Sequence, residues 1–161
     1  MSADCDPDVI AFIEELKPKR LLCVAPDEAS CAGAVRSGRP LVHWDPAHAL
    51  AAEAVAERFE LAFVAGALEA LGVDRGGALL ARLRDLYAHR VLVRLHLARA
   101  AEAGWSGNGL LAYGFTRGGH CREGDDEFGL YLFDLDTYKV TPDWFGPHDW
   151  ANPERWDQDW W

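Results

Sequence analysis

The sequence predicts a three-layer α/β domain with a mostly parallel sheet and a C-terminal antiparallel hairpin. Short apolar runs, LLCVA (21–25), RPLVHWD (39–45), ELAFVAG (60–66) and RVLVRLH (90–96), alternate with segments of helical periodicity. Strands that alternate with helices join by right-handed crossovers into a parallel sheet. The last third then changes character: FTRGGHCREGDDEFGLYLFDLDTY alternates its side chains around a GDD turn, which is a hairpin signature.

Each element has a local reason. Asp6 or Asp8 is placed to cap a first helix, DVIAFIEELKP, with Val9, Ile10, Phe12, Ile13 and Leu16 on one side and Pro18 as its stop. LLCVA is continuously apolar, as a strand buried on both faces must be. EASCAGAVRSG reads as a short helix closed by Gly38, and Asp45-Pro46 ends the second strand. PAHALAAEAVAERF is the clearest helix: proline near the start, then an alanine-rich body. After the third strand come ALEALG and the amphipathic RGGALLARLRDLYAH (75–89), with Leu79, Leu80, Leu83, Leu86 and Tyr87 on one side. A helical piece through Trp105 and the SGNGLLAYGF segment lead into the hairpin.

The 161 residues make a single domain by length. It divides into an N-terminal helix in 1–19, an α/β core over 20–140 and a Trp-rich arm over 141–161. A net charge of −10 argues against nucleic acid, since phosphate binding needs a basic face. No apolar run reaches the roughly 20 residues that cross a bilayer. The acidic, amphipathic start is the wrong chemistry for a targeting peptide, so the cytoplasm is expected. Cys5, Cys23, Cys31 and Cys121 show neither CxxC nor zinc-finger spacing, so reduced thiols are expected, with Cys23 a small core residue.

Taken together, RLLCVA, LVHWDPA, FELAFVAGALEAL, LRDLYAHRVLVRL and the LLAYGF-hairpin sequence resemble the class I S-adenosylmethionine-dependent methyltransferases, a Rossmann-like fold. The resemblance covers about residues 18–136 and is similar in layout to the compact MetW-type members. The tail, TYKVTPDWFGPHDWANPERWDQ, resembles a small proteobacterial family of unknown function. The resemblance implies a cofactor site at the carboxyl ends of the strands. In that family the first strand runs into a D-x-G-x-G-x-G loop. Here the acidic position is Cys23, and the glycine positions are Ala25, Asp27 and Ala29, none of them glycine.

The lost glycines matter because the backbone must approach the cofactor closely. Pro26 also removes an N–H donor, and Asp27 brings negative charge toward the cofactor's carboxylate. VAPDEAS thus keeps the bend and loses the cradle. One position matches: Asp45 ends the second strand, where the family places an acid on the ribose. It equally suits the cap of the following helix.

Ligands of doubly wound sheets bind beyond the strand ends, at the switch in strand order. Asp27, Glu28, Ser30, Asp45, Gly66, Glu69 and His96 are expected there. Cofactor contacts, if the crevice is open, fall on Ala25, Asp27, Ala29, Asp45 and Gly66. His96 with Glu69 or Asp27 is the candidate acid–base pair, and a cap or rim role for His96 is the plainer alternative. His43 is expected to pack or hydrogen-bond in the sheet. His120 and Cys121 point to opposite faces of a strand, and Asp125–Glu127 lacks calcium-loop spacing, so no metal site is expected.

Trp144, Trp150, Trp156, Trp160 and Trp161 crowd the final residues, which suits an arm that covers the domain's own surface or seals a homodimer or protein partner. The expected function is a methyltransferase-like module without catalytic activity. The alternative is a divergent S-adenosylmethionine-dependent methyltransferase.

Overall fold

The computed structural model describes residues 5–138 apart from positions 54, 56 and 107. The arm with its five tryptophans lies outside the described residues.

Six strands form one sheet in the order β2-β1-β3-β4-β6-β5. β1 (Leu21–Val24), β2 (Leu41–Trp44), β3 (Phe59–Ala65) and β4 (Ala88–His96) run parallel, with Leu21 opposite both Leu41 and Leu61. β5 (Thr116–Glu123) and β6 (Asp126–Asp134) form the hairpin, and β6 lies antiparallel to β4 with Leu92 facing Leu132. The fold class is the one the sequence predicts.

Strand alternation sorts the core into two layers. Leu21, Cys23, Leu61, Phe63 and Leu92 face α1 (Asp6–Leu16) and α2 (Ala32–Arg36). Leu22, Val24, Ala62, Val64, Val91 and Val93 face the other way, toward α4 (Ala67–Arg82). Ala49 of α3 (Pro46–Ala51), Ala100 of α5 (Leu97–Glu102) and Phe133 of the hairpin complete that layer. The chain then closes its described part with α6 (Leu135–Tyr138). No helix among the described residues is long and apolar enough to cross a membrane.

Two expected helices are corrected. Among the described residues of PAHALAAEAVAERF the helix covers Pro46–Ala51, and Ala52 turns extended with ψ 143°. The Ala52 carbonyl instead accepts the Tyr87 hydroxyl at 2.5 Å and the Arg82 guanidinium. A tertiary acceptor site thus overrides a strong local propensity. The helix expected at 75–89 is divided from ALEALG by a break at Gly72 (φ 80°), as the sequence suggests, but it widens into a π-type turn over Leu83–Tyr87 and gives way to β4 at Ala88. That turn carries Tyr87 to Ala52, with Arg82 Nη2 donating to the Tyr87 hydroxyl at 2.9 Å.

The cysteines correct the expectation of free thiols. Cys5 is bonded to Cys121 and Cys23 to Cys31, with Cα separations of 5.3 and 6.2 Å, inside the usual disulfide range of about 4.4–6.8 Å. The partners lie 116 and 8 residues apart, so the fold, not a short motif, brings them together. Cys5–Cys121 fastens the start of α1 to the hairpin. Nearby, the Phe12 ring covers Gly118, where an added Cβ would stand 2.9 Å from the ring.

Candidate functional site

β1 lies between β2 and β3, so the strand order switches between β1 and β3, where the helices leave on opposite faces. A cavity of about 580 Å³ opens at this point. Pro26, Asp27 and Ser30 wall it from the loop after β1, and Gly66, Glu69 and Ala70 from the turn into α4. Arg99, Glu102 and Ala103 close it from α5.

The loop after β1 is built by its own side chains. Asp27 accepts the Ser30 backbone N–H at 2.8 Å and its hydroxyl at 2.9 Å. These bonds, the backbone one first, hold the Asp27 carboxyl below the usual carboxylate range, with further help from the charges of His43 and Arg94. Pro26 seats on Gly66, whose φ of 77° and missing side chain admit it: a Cβ there would lie 3.3 Å from the proline ring. The close backbone approach that glycines of the loop would offer a ligand is here made by Gly66 to the loop itself.

Ala25 and Ala29 do not wall the cavity. Ala25 is buried, donates its N–H to the Trp44 carbonyl and accepts His43 Nε2 at 2.9 Å. That carbonyl only accepts, so His43 Nε2 is the donor of this bond. Asp45 caps α3, accepting the His48 N–H at 2.8 Å, and is absent from the cavity wall.

Glu69 stands in the first turn of α4. Burial pushes its carboxyl up to about 7, against the pull of the backbone N–H groups of Glu69 and His96 and the charges of Arg94 and Arg99. Its Oε1 is buried with no hydrogen bond among the described residues. Such a group near neutrality can donate or accept a proton.

His96 is engaged on both ring nitrogens. Nδ1 accepts the Arg99 backbone N–H at 3.2 Å and caps α5, so the proton sits on Nε2, which faces Asp126 Oδ1 at 3.1 Å. The ring also packs edge-on against Phe128. The structure thus gathers Asp27, Glu69 and Gly66 on one cavity, and turns the His96 ring toward the hairpin. His120 faces Glu127 at 3.7 Å, while Cys121 joins Cys5. Arg122 bonds Glu127 and holds its carboxyl below the ordinary range.

Arg99, Glu102 and the seat of Pro26 on Gly66 were not evident from the sequence. The available signal was position: LARAAE follows β4 directly, and the first turns of a helix leaving a parallel strand face the crevice.

The chain belongs to a family of unknown function, DUF6231, which matches residues 4–161. No curated protein matches it in sequence. Among solved structures it is similar to an rRNA methylase from Escherichia coli, at 19% identity and a TM-score of 0.51, over 81% of this chain and 63% of that one. It is equally similar, at 12% identity and a TM-score of 0.51, to the methyltransferase domain of bacterial CtHen1-C, over 81% of this chain and 97% of that one. The chain therefore spans under two thirds of the first protein and nearly all of the second. These likenesses show a methyltransferase-type Rossmann-like fold.

Proposed function

We propose that this member of the DUF6231 family is a methyltransferase-like module without methyl-transfer activity, acting as a regulatory or interaction protein. One observation carries the reading: the positions that would hold a cofactor are committed to the chain's own structure. Asp27 consumes the Ser30 N–H, Pro26 covers Gly66, and Asp45 consumes the His48 N–H. S-adenosylmethionine held in the manner of the fold family draws on the loop N–H groups and on that carboxylate, and here the Ser30 N–H and one Asp45 oxygen are already engaged, which supports the non-catalytic reading. No chemical step is assigned to the site.

The proposed contacts fall to Trp144, Trp150, Trp156, Trp160 and Trp161, a density that suits an interface in a homodimer or with a protein partner. Deleting residues 143–161 tests this. The account expects a lower mass by size-exclusion chromatography with light scattering, or loss of a partner from a pull-down. A folded monomer of unchanged mass and unchanged partners counts against it.

The second reading, a divergent S-adenosylmethionine-dependent methyltransferase, is favoured by the cavity itself. It is open at the strand-order switch and carries Glu69, raised to about 7, within its wall. Binding of S-adenosylhomocysteine separates the two readings.

A further inference from the structure

We propose that the Cys23–Cys31 bond is a thiol–disulfide exchange site whose redox state sets whether the lip of the crevice is clamped or free. The bond closes a ring around residues 24–30, and that ring contains Pro26, Asp27 and Ser30, the whole contribution of the β1 loop to the cavity wall. Cys23 is fixed in β1, between β2 and β3, whereas Cys31 ends the short 3-10 turn over Ala29–Cys31. The bond therefore ties a single short turn, which leads into α2, to the centre of the sheet.

The bond is buried while the loop it closes is exposed. Residues 26–29 are exposed, while Cys23 is 0% and Cys31 1% exposed. The two cysteines sit in the core layer under α1 and α2, at the two ends of a loop held otherwise by the Asp27–Ser30 bonds and the contact of Pro26 with Gly66. Local opening of that lip, without opening the sheet, uncovers the bond. The other disulfide differs in its place in the fold and not in burial, with Cys5 0% and Cys121 7% exposed. It joins α1 to the hairpin across 116 residues, so losing it releases far more chain entropy than opening a ring across 8. The two bonds are thus built for different tasks: one frames the fold, and the other frames the crevice.

The chemistry is thiol exchange with a small dithiol. Its thiolate attacks one sulfur, the S–S bond breaks, and the departing sulfur leaves as a thiolate that takes up a proton. The second thiol of the reductant then displaces the mixed disulfide. In sum the cystine gains two electrons and two protons, and the dithiol becomes a cyclic disulfide. In a reducing compartment, the disulfides that do form are mostly transient and catalytic or redox-sensing. The inference stands on the crevice geometry alone and holds whether or not a cofactor binds there.

The test uses the full chain in graded dithiothreitol, with thiols counted by alkylation and mass spectrometry and amide exchange read by peptide. Cys23 and Cys31 should become alkylated before Cys5 and Cys121. Exchange across 24–31 should then rise about tenfold while residues 59–65 and 88–96 stay protected. A folded Cys23→Ser/Cys31→Ser chain should reproduce that pattern. The proposal is overturned if all four thiols appear together with loss of protection across the sheet. It is equally overturned if the pair is reduced and exchange across 24–31 does not change.

Discussion

The Asp27 carboxylate accepts both the backbone N–H and the hydroxyl of Ser30, at 2.8 and 2.9 Å, at the mouth of the strand-order switch between β1 and β3. An acid that would oppose an anionic ligand in this loop is instead the part that shapes it. Replacing Asp27 by Ala removes an Asx-type cap and should lower stability by about 1 kcal/mol, read by urea unfolding. Asp27→Asn, which keeps an acceptor oxygen, should recover most of it.

Restoring glycines asks the same question from the other side. The triple change Ala25→Gly, Asp27→Gly and Ala29→Gly rebuilds the spacing of the cofactor loop. It should loosen the loop, and any affinity for S-adenosylhomocysteine should rise at least about tenfold over the natural chain. A folded triple variant with unchanged affinity would mean that the missing glycines are not what keeps the crevice from a cofactor.

Asp45 yields a sharper division of roles. As the cap of α3 its loss should cost about 1 kcal/mol of stability, which thermal or urea unfolding reads directly. An Asp45→Ala chain of unchanged stability would argue that the cap is incidental.

How much of this could be read from the sequence follows from which forces are local. LLCVA and the GDD hairpin were legible because burial on two faces, or on one, sets the spacing of apolar side chains within a few residues. The length of α3 was not, because its end is fixed by Tyr87, 35 residues away, hydrogen-bonding Ala52. The disulfides escaped for the same reason: spacing rules recognise paired cysteines within a motif, and these pairs are made by helix and strand placement. At the site, Asp27, Glu69 and Gly66 were visible as residues at strand ends. The engagement of His96 with Asp126 was hidden, since it depends on the hairpin returning beside β4.

Glu69 makes stability depend on pH. Its folded value of about 7 lies above its ordinary 4.5, so between those values the folded chain holds a proton that the unfolded chain has lost. Stability should therefore fall as pH rises from about 4.5 to about 7 and level off above, a loss of about 3 kcal/mol. Glu69→Gln should flatten that slope. Urea unfolding at pH 5 and pH 8 measures both chains, and equal slopes would remove Glu69 as the cause.

Gly76 tests the packing that supports the α5 side of the crevice. A Cβ there would lie 2.7 Å from the Trp105 ring, whose Nε1 donates to the Leu68 carbonyl at 3.1 Å. Gly76→Ala should therefore lower stability by about 1–3 kcal/mol, although alanine favours helix. A more stable variant would show that Trp105 has room to move.

The most direct test of the central claim is calorimetric titration of the folded chain with S-adenosylhomocysteine, beside Asp45→Ala. The account predicts no binding heat at millimolar ligand for either protein. Micromolar binding by the natural chain that Asp45→Ala abolishes would contradict it, and would establish that the crevice still holds the cofactor of its fold.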